Sequence, residues 1–351
     1  MKIICIGDIH ASGFGDDPLV ENLPERLYYI KKSLEFIMDY GKNNGIKEYV
    51  ILGDVYHDKT IIYNISQAMM IEFFTNHSDC HFRIISGNHD LSSTGENQKS
   101  AIQALDELEN VECFIKDVSV QELDYCSAAF VPFTNMFVED IKKYGSYPSN
   151  CKILFAHLVL NEAVLQSGLS RVDKVKLNDL KQFKLAILGH YHKPQDFHNE
   201  YTHVWYTGSL IPRDWNDKNE SKRFLVVDTE TLEVNSVDIT GVPLFVEIVI
   251  PPNSTEEHIS AELCRANRLR KEGHKVRVIN KNKSRIKQED ISDVILLEQQ
   301  EIDVTNRGIT VEQSKIDQCK KYMEIKEIPE NERAEYLKVL SDSKLLEIIE
   351  Q

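Results

Sequence analysis

Five short apolar runs in this chain of 351 residues end in the same way, and that repetition restricts what it can fold into more than any other feature. Lys2–Ile6 leads into Gly7-Asp8-Ile9-His10, Tyr49–Leu52 into Gly53-Asp54, and Phe82–Ile85 into Gly87-Asn88-His89-Asp90. Lys152–Phe155 leads into Ala156-His157, and Leu185–Leu188 into Gly189-His190-Tyr191-His192. Runs of this length and composition suit strands buried on both faces. A small residue then frees the backbone to turn, and an Asp, Asn or His follows. Any one of these ends could be a plain turn or cap. Five together predict strands whose carboxyl ends deliver polar side chains to one place, as α/β sheets do.

The segments between the runs carry helical spacing. Leu27, Ile30, Leu34, Ile37 and Met38 predict a helix over 24–44 with a Gly45 stop, and Ile65, Met69, Met70, Phe73 and Phe74 predict one over 65–76. A further helix is expected over 101–108, with strand-like runs at 111–115 and 128–133. Val204–Tyr206 and a hairpin of 224–227 with 234–239 read as edges of a second sheet. After Pro243, a strand, a helix opened by a capping box at Ser254–Glu257 and a strand at 275–279 make a small α/β unit. Amphipathic helices are expected from 311 to the end, to pack on their own domain or on a partner.

Composition bounds the class. At 42% hydrophobic and 28% charged residues the chain is globular, and its length suits one large domain and a smaller one. Seven scattered cysteines with no C-x-x-C pair oppose a disulfide framework or a zinc ribbon and fit a reducing compartment. Lys2–Ile6 is too short for a signal-peptide core, and nothing approaches the ~18 consecutive apolar residues of a membrane span, so a cytoplasmic location without a membrane is expected. A net charge of −15 is the wrong sign for coating nucleic acid nonspecifically. Against it stands a local cluster of ten basic residues between Arg265 and Lys287, with one acid, Glu272; it suits either a nucleic-acid backbone or a solvated face.

Asp8, His10, Asp54, Asn88, His157, His190 and His192 form a mixed oxygen and nitrogen donor set too large for one ion. Two ions sharing Asp54 fit the count, with Asp8, His10 and His192 on one and Asn88, His157 and His190 on the other. Carboxylate and imidazole without thiolate favour Mn²⁺, Fe or Zn²⁺, Mn²⁺ first. Such a pair suits in-line displacement at phosphorus, hence phosphoester hydrolysis. His89, beside a ligand without being one, is the candidate acid for the leaving alkoxide, and Asp90 is the candidate to hold its tautomer.

In that order the motifs Asp8-Ile-His10, Gly53-Asp54, Gly87-Asn88-His89-Asp90, His157 and Gly189-His190-Tyr-His192 resemble those of the calcineurin-like metallophosphoesterases. The resemblance covers about residues 1–240 and implies an α/β fold, a β-sandwich of two mixed sheets flanked by helices with a dimetal site at its edge. Within that superfamily the chain looks like the nuclease subunit of SbcCD-type repair and recombination complexes, including bacteriophage versions. His57, three residues after Asp54, matches that subunit's second motif and is read as a catalytic residue. The fourth motif, Ala156-His157-Leu158-Val159, departs from the usual acidic or aromatic continuation.

The likeness implies a nuclease domain over 1–240, a cap or DNA-binding domain over 243–290, a linker over 291–310 and a helical partner-binding region over 311–351. It further implies Mn²⁺-dependent 3'-to-5' exonuclease and single-strand endonuclease activity, an SMC-like coiled-coil ATPase partner and a homodimer. The rival readings are a small-substrate phosphatase or cyclic phosphodiesterase on the same core, and a non-catalytic scaffold.

Overall fold

The computed structural model describes residues 1–13, 17–92, 99–144, 148, 150–163, 175–282 and 295–298. In chain order the elements are β1 (Lys2–Ile6), β2 (Leu19–Val20), β3 (Leu23–Pro24), α1 (Glu25–Asn43), β4 (Glu48–Ile51), α2 (Asn64–Asn76), β5 (His81–Ile85), β6 (Val111–Phe114), β7 (Ser119–Glu122), β8 (Ser127–Val131) and α3 (Phe137–Tyr144). There follow β9 (Cys151–His157), β10 (Leu185–Gly189), β11 (Gln195–His198), β12 (His203–Tyr206), β13 (Arg223–Asp228), β14 (Val234–Asp238), β15 (Phe245–Ile250), α4 (Glu256–Lys271), β16 (Lys275–Asn280) and β17 (Ile295–Glu298).

Two six-stranded mixed sheets form a sandwich, ordered β14-β13-β1-β4-β5-β6 and β11-β12-β10-β9-β8-β7. Period-two alternation explains why its strands read as unbroken apolar runs. Ile4, Ile6, Tyr49, Ile51, Phe82 and Ile84 pack with Leu27, Ile30, Leu34 and Ile37 of α1 and Met70 and Phe74 of α2. Their neighbours Ile3, Cys5, Val50, Leu52 and Ile85 pack instead with Ile153, Phe155, Leu185 and Ile187 of the second sheet. Leu154, Ala156, Ala186 and Leu188 cover the far face with Leu160, Leu180 and Phe183. The expected sandwich of two mixed sheets flanked by helices is therefore what forms.

The five motif-bearing strands are divided between the sheets, β1, β4 and β5 lying parallel in one and β9 and β10 parallel in the other. Several local expectations change. The hairpin of β13 and β14 is not an edge of the second sheet; it pairs antiparallel with β1 and extends the first. The helix expected over 101–108 is a single 3₁₀ turn, Ala101–Ala104. The strands β7 and β11 and the helix α3 had no recognised signal.

The third sheet, β15-β16-β17, is all parallel, carries α4 as its crossover and has its own apolar cluster around Ile248, Ile250, Ala266 and Val278. Helix α4 is capped by Thr255, whose Oγ1 accepts from the His258 amide at 3.2 Å, rather than by a box beginning at Ser254. Strand β17 falls in the stretch read as a linker, so the third sheet extends past residue 290. The helices expected from 311 onward lie outside the described residues. Among the described residues no helix is long and apolar enough to cross a membrane.

Candidate metal centre

Every motif sits at the carboxyl end of its strand, and parallel pairing carries on past β1 and β4 to bring two of them abreast. The His10 amide donates to the Asp54 carbonyl at 2.8 Å and the Ala11 amide to the Val55 carbonyl at 2.8 Å. Three of the polar residues turn through left-handed backbone, His10 at φ +51°, Asp54 at +52° and His190 at +98°. L-residues adopt this region at a cost, and such strain gathers where side chains must be aimed. Gly87 has no choice of residue: a β-carbon there would collide with the carboxylate and amide of Asp54.

The side chains converge as two sets about one carboxylate. On one side His10 Nε2 and His192 Nε2 meet at 3.0 Å, with Asp8 close enough to make a three-residue group that could hold a metal ion. On the other, Asn88 Oδ1 lies 3.0 Å from His157 Nε2 and 2.9 Å from His190 Nδ1, and those two nitrogens are 3.2 Å apart. Asp54 Oδ2 stands between the sets, 3.6 Å from His10 Nε2 and 3.6 Å from His157 Nε2. The His157 ring is aimed by its Nδ1, which donates to the Leu52 carbonyl at 2.7 Å and so turns the Nε2 lone pair toward the cluster. The Asp8 carboxylate accepts from the His190 amide at 3.0 Å, tying the first sheet's motif to the second sheet's.

Burial sets the charge state of the cluster. It pushes the Asp54 carboxyl up to about 7 and, helped by the charge of Asp54, raises Asp8 well above the ordinary carboxylate range. The imidazoles move the other way. Burial lowers His157 to about 3, and takes His10 and His192 well below their usual range, with neighbouring His192 and Arg213 respectively as the next causes. Neutral imidazoles and crowded, reluctant carboxylates pointing at shared space are what a divalent cation would satisfy, because its charge relieves the acids and its open coordination takes the nitrogen lone pairs. The donor set, oxygen and nitrogen without sulfur, fits such an ion.

The residues around the ligands differ from expectation in one case. Asp90 does not hold His89. Its Oδ2 accepts from the Gly87 amide at 2.8 Å and its Oδ1 from the Tyr56 amide at 3.1 Å, so this wholly buried carboxylate ties the third motif loop to the second. The His89 ring is held instead by the main-chain oxygen of His57, through Nδ1, while the His89 amide donates to Asp54 Oδ1 at 2.8 Å. The two rings of His57 and His89 stack with centroids 5.6 Å apart, and both lie against His10.

Two residues at the site escaped the sequence reading. Arg213 places Nη1 3.4 Å from His192 Nε2 and Nη2 3.4 Å from His57 Nδ1. Lys222 has 0% exposure, and its Nζ donates to the His192 carbonyl at 3.2 Å and pairs with Asp217 Oδ2 at 3.5 Å. Asp217 Oδ2 also accepts from the Arg213 amide at 2.7 Å, so Lys222 and Asp217 together fix where Arg213 and His192 sit. Neither cation lies in a strand-end pattern, and the only local hint is the Gly208-Ser209 turn that brings the chain back to the site.

Residues 1–224 match the model of the family described as calcineurin-like phosphoesterase. The chain is similar to an SbcCD nuclease subunit of Staphylococcus epidermidis, at 25% identity over 226 residues. That alignment covers 56% of this chain and 58% of the relative, so less than two thirds of the relative's length is spanned. Among solved structures, an archaeal phosphodiesterase aligns at 14% identity with a TM-score of 0.37, covering 68% of this chain and 99% of the other. The hypothetical protein PH1004 of Pyrococcus horikoshii OT3 aligns at 14% identity with a TM-score of 0.38, covering 75% and 92%.

Proposed function

The chain belongs to the calcineurin-like phosphoesterase family, and on that premise we propose that it is a DNA nuclease subunit that uses two divalent ions, Mn²⁺ first. The observation that carries the two-ion reading is the Asp54 oxygen standing 3.6 Å from an imidazole of each ligand set. Asp8, His10, His192 and Asp54 would hold one ion, and Asn88, His157, His190 and Asp54 the other. When bound, such ions supply a Lewis-acidic environment that activates water and offsets charge on a phosphodiester.

The remaining steps fall to the protein. His89, with Nδ1 occupied by the His57 carbonyl, has Nε2 as the nitrogen that can give a proton to the leaving alkoxide. Burial lowers its pKa, and the His57 carbonyl partly opposes that shift. His57 thus acts on His89 through its backbone, while its own Nδ1 faces Arg213. Asp90 is a positioning residue for the Gly87 loop. Arg213 brings a fixed positive charge to the face of His192 and His57, where an entering phosphate can meet it.

DNA as substrate, 3'-to-5' exonuclease with single-strand endonuclease action, a coiled-coil ATPase partner engaged through 311–351, a homodimer and a cytoplasmic setting complete this reading. Its support is the resemblance to the staphylococcal SbcCD nuclease and the basic cluster. One observation favours the rival, a small-substrate phosphodiesterase. Part of the basic cluster is already spent on ion pairs, Lys275 with Glu25 at 2.7 Å, Arg265 with Glu262 at 3.3 Å, and Arg277 with Glu247.

The test is degradation of single-stranded DNA by the Mn²⁺-loaded full chain, expected to fall by more than about 10²-fold in His89→Ala and to vanish in Asp54→Ala. Protein inert on DNA, alone and with a coiled-coil ATPase, would sink the nuclease reading. Charge reversal at the exposed Arg268 and Lys271 should weaken DNA cleavage and spare nitrophenyl diester turnover.

A further inference from the structure

A pocket opens between the first turn of α1, the Ile211–Arg213 segment and the start of β15. Arg26, Arg213 and Lys275 line it, with Asp17 and Glu25. Glu25 is engaged by Lys275, and Arg26 and Arg213 line the pocket beside Asp17.

Arg26 is the anomaly. Its Nη1 donates to the Arg213 carbonyl at 3.4 Å, but its Nε and Nη2 are buried with no hydrogen-bond partner among the described residues. Burial lowers its pKa, and the nearby charge of Arg213 lowers it further. A guanidinium stays charged in proteins regardless, so the fold holds two cations together and leaves donors of one of them idle. Buried donors without hydrogen-bond partners are a standing cost; Asp17, Asp217 and Asp214 offset the charge through space, but none of them accepts a hydrogen bond from Nε or Nη2. The missing partner has a definite chemistry. Adjacent N–H groups of a guanidinium fork match two oxygens of a phosphate. Arg213 joins this pocket to the metal ligands, since its own fork reaches His192 and His57 at 3.4 Å each.

We propose that Arg26 and Arg213 form a second phosphate subsite, which grips the backbone phosphate next to the scissile one. The proposal rests on the nuclease reading above and sharpens it: the substrate is a strand recognised through two successive phosphates, and a diester with one phosphate engages only the metal centre.

The experiment compares kcat/KM of the Mn²⁺-loaded full chain on a thymidine oligonucleotide of about eight nucleotides and on bis(p-nitrophenyl) phosphate. Arg26→Met is expected to lower the oligonucleotide-to-diester ratio by about ten- to a hundred-fold, chiefly through KM, with Arg26→Lys recovering part of it. The melting temperature of Arg26→Met should change little, because the change gives up one long bond to the Arg213 carbonyl and relieves two buried donors that have no hydrogen-bond partner. A ratio within about twofold of wild type overturns the subsite and leaves the nuclease reading standing. Equal losses on both substrates with a lowered melting temperature mark a structural role and overturn it too. Wild-type protein that turns over the diester but neither cleaves the oligonucleotide nor is inhibited by it overturns the nuclease reading, and the subsite with it.

Discussion

Burial lowers His157 to about 3 and His57 to about 4, so these two imidazoles are neutral well before neutral pH. The proton that a cation must displace is therefore on a carboxylate. Asp54, pushed up to about 7 from an ordinary 3.8, keeps its proton in the metal-free protein across a range where an unfolded Asp has lost it. In that window the native state binds more protons than the unfolded state, so the Asp54 contribution to metal-free stability declines as pH rises from 3.8 toward 7. Metal binding runs against this. Below about pH 7 each unit of acidification should weaken Mn²⁺ binding by about tenfold per displaced proton. Thermal melts should accordingly show a Mn²⁺-induced rise that is small near about pH 5.5, large near about pH 7.5 and absent in Asp54→Asn. A rise of equal size at both pH values would remove Asp54 from the ligand set.

At the scale of elements, β5 and its loop matter because Gly87 is pressed against Asp54. Gly87→Ala would push a methyl group into the Asp54 carboxylate and amide, so the loop or the carboxylate must move. We expect a loss of about 1–3 kcal/mol in stability and a fall in kcat of more than about 10²-fold, as misplacement of a catalytic group by about 1 Å can produce. Gly45→Ala is the matched contrast. Its backbone is also left-handed, at φ +66°, but no atom lies within 4 Å of where its β-carbon would be. It should cost about 1 kcal/mol through conformational strain alone and leave kcat intact. Denaturant melts with diester kinetics on both variants check the pair, and a fully active Gly87→Ala would show that the loop does not hold the carboxylate.

Across the whole molecule, the third sheet is fastened to the loop that carries Arg213. Glu247 of β15 accepts from Lys218 Nζ at 2.6 Å and Arg277 Nε at 2.7 Å, and Arg277 lies 4.4 Å from the Trp215 ring centroid. The Asn219 amide donates to the Phe245 carbonyl at 2.8 Å, and the Glu247 amide returns a bond to Asn219 Oδ1 at 3.0 Å. The third sheet thus braces the Arg213 loop from one side while Lys222 and Asp217 brace it from the other. Glu247→Ala should destabilise the protein by about 2 kcal/mol, a value reduced from that of a fully buried pair because Lys218 is partly exposed. It should also weaken oligonucleotide cleavage several-fold and leave Mn²⁺ affinity, read by calorimetry, unchanged, because every candidate ligand lies within residues 8–192. A parallel loss of Mn²⁺ affinity would mean that the third sheet supports the candidate ligands as well as the loop.

What the sequence determined by itself was local: which short runs are strands, that each ends in a turn with a polar side chain, and that Asp8, His10, Asp54, Asn88, His157, His190 and His192 stand at those turns as candidate donors. These follow from period-two burial and from small residues at sharp turns, both written within a few positions of each other. The tertiary structure alone decided how the strands divide between two sheets, that β13 and β14 extend the first, and that Asp90 ties two loops together instead of orienting His89. It also brought Arg26, Arg213 and Lys222 to the site. Those outcomes depend on pairings such as Asp8 with His190, 182 positions apart, and on buried charges whose partners are set by packing. No local pattern encodes them, because a cation's role here depends on which oxygens and rings the assembled sheets place around it.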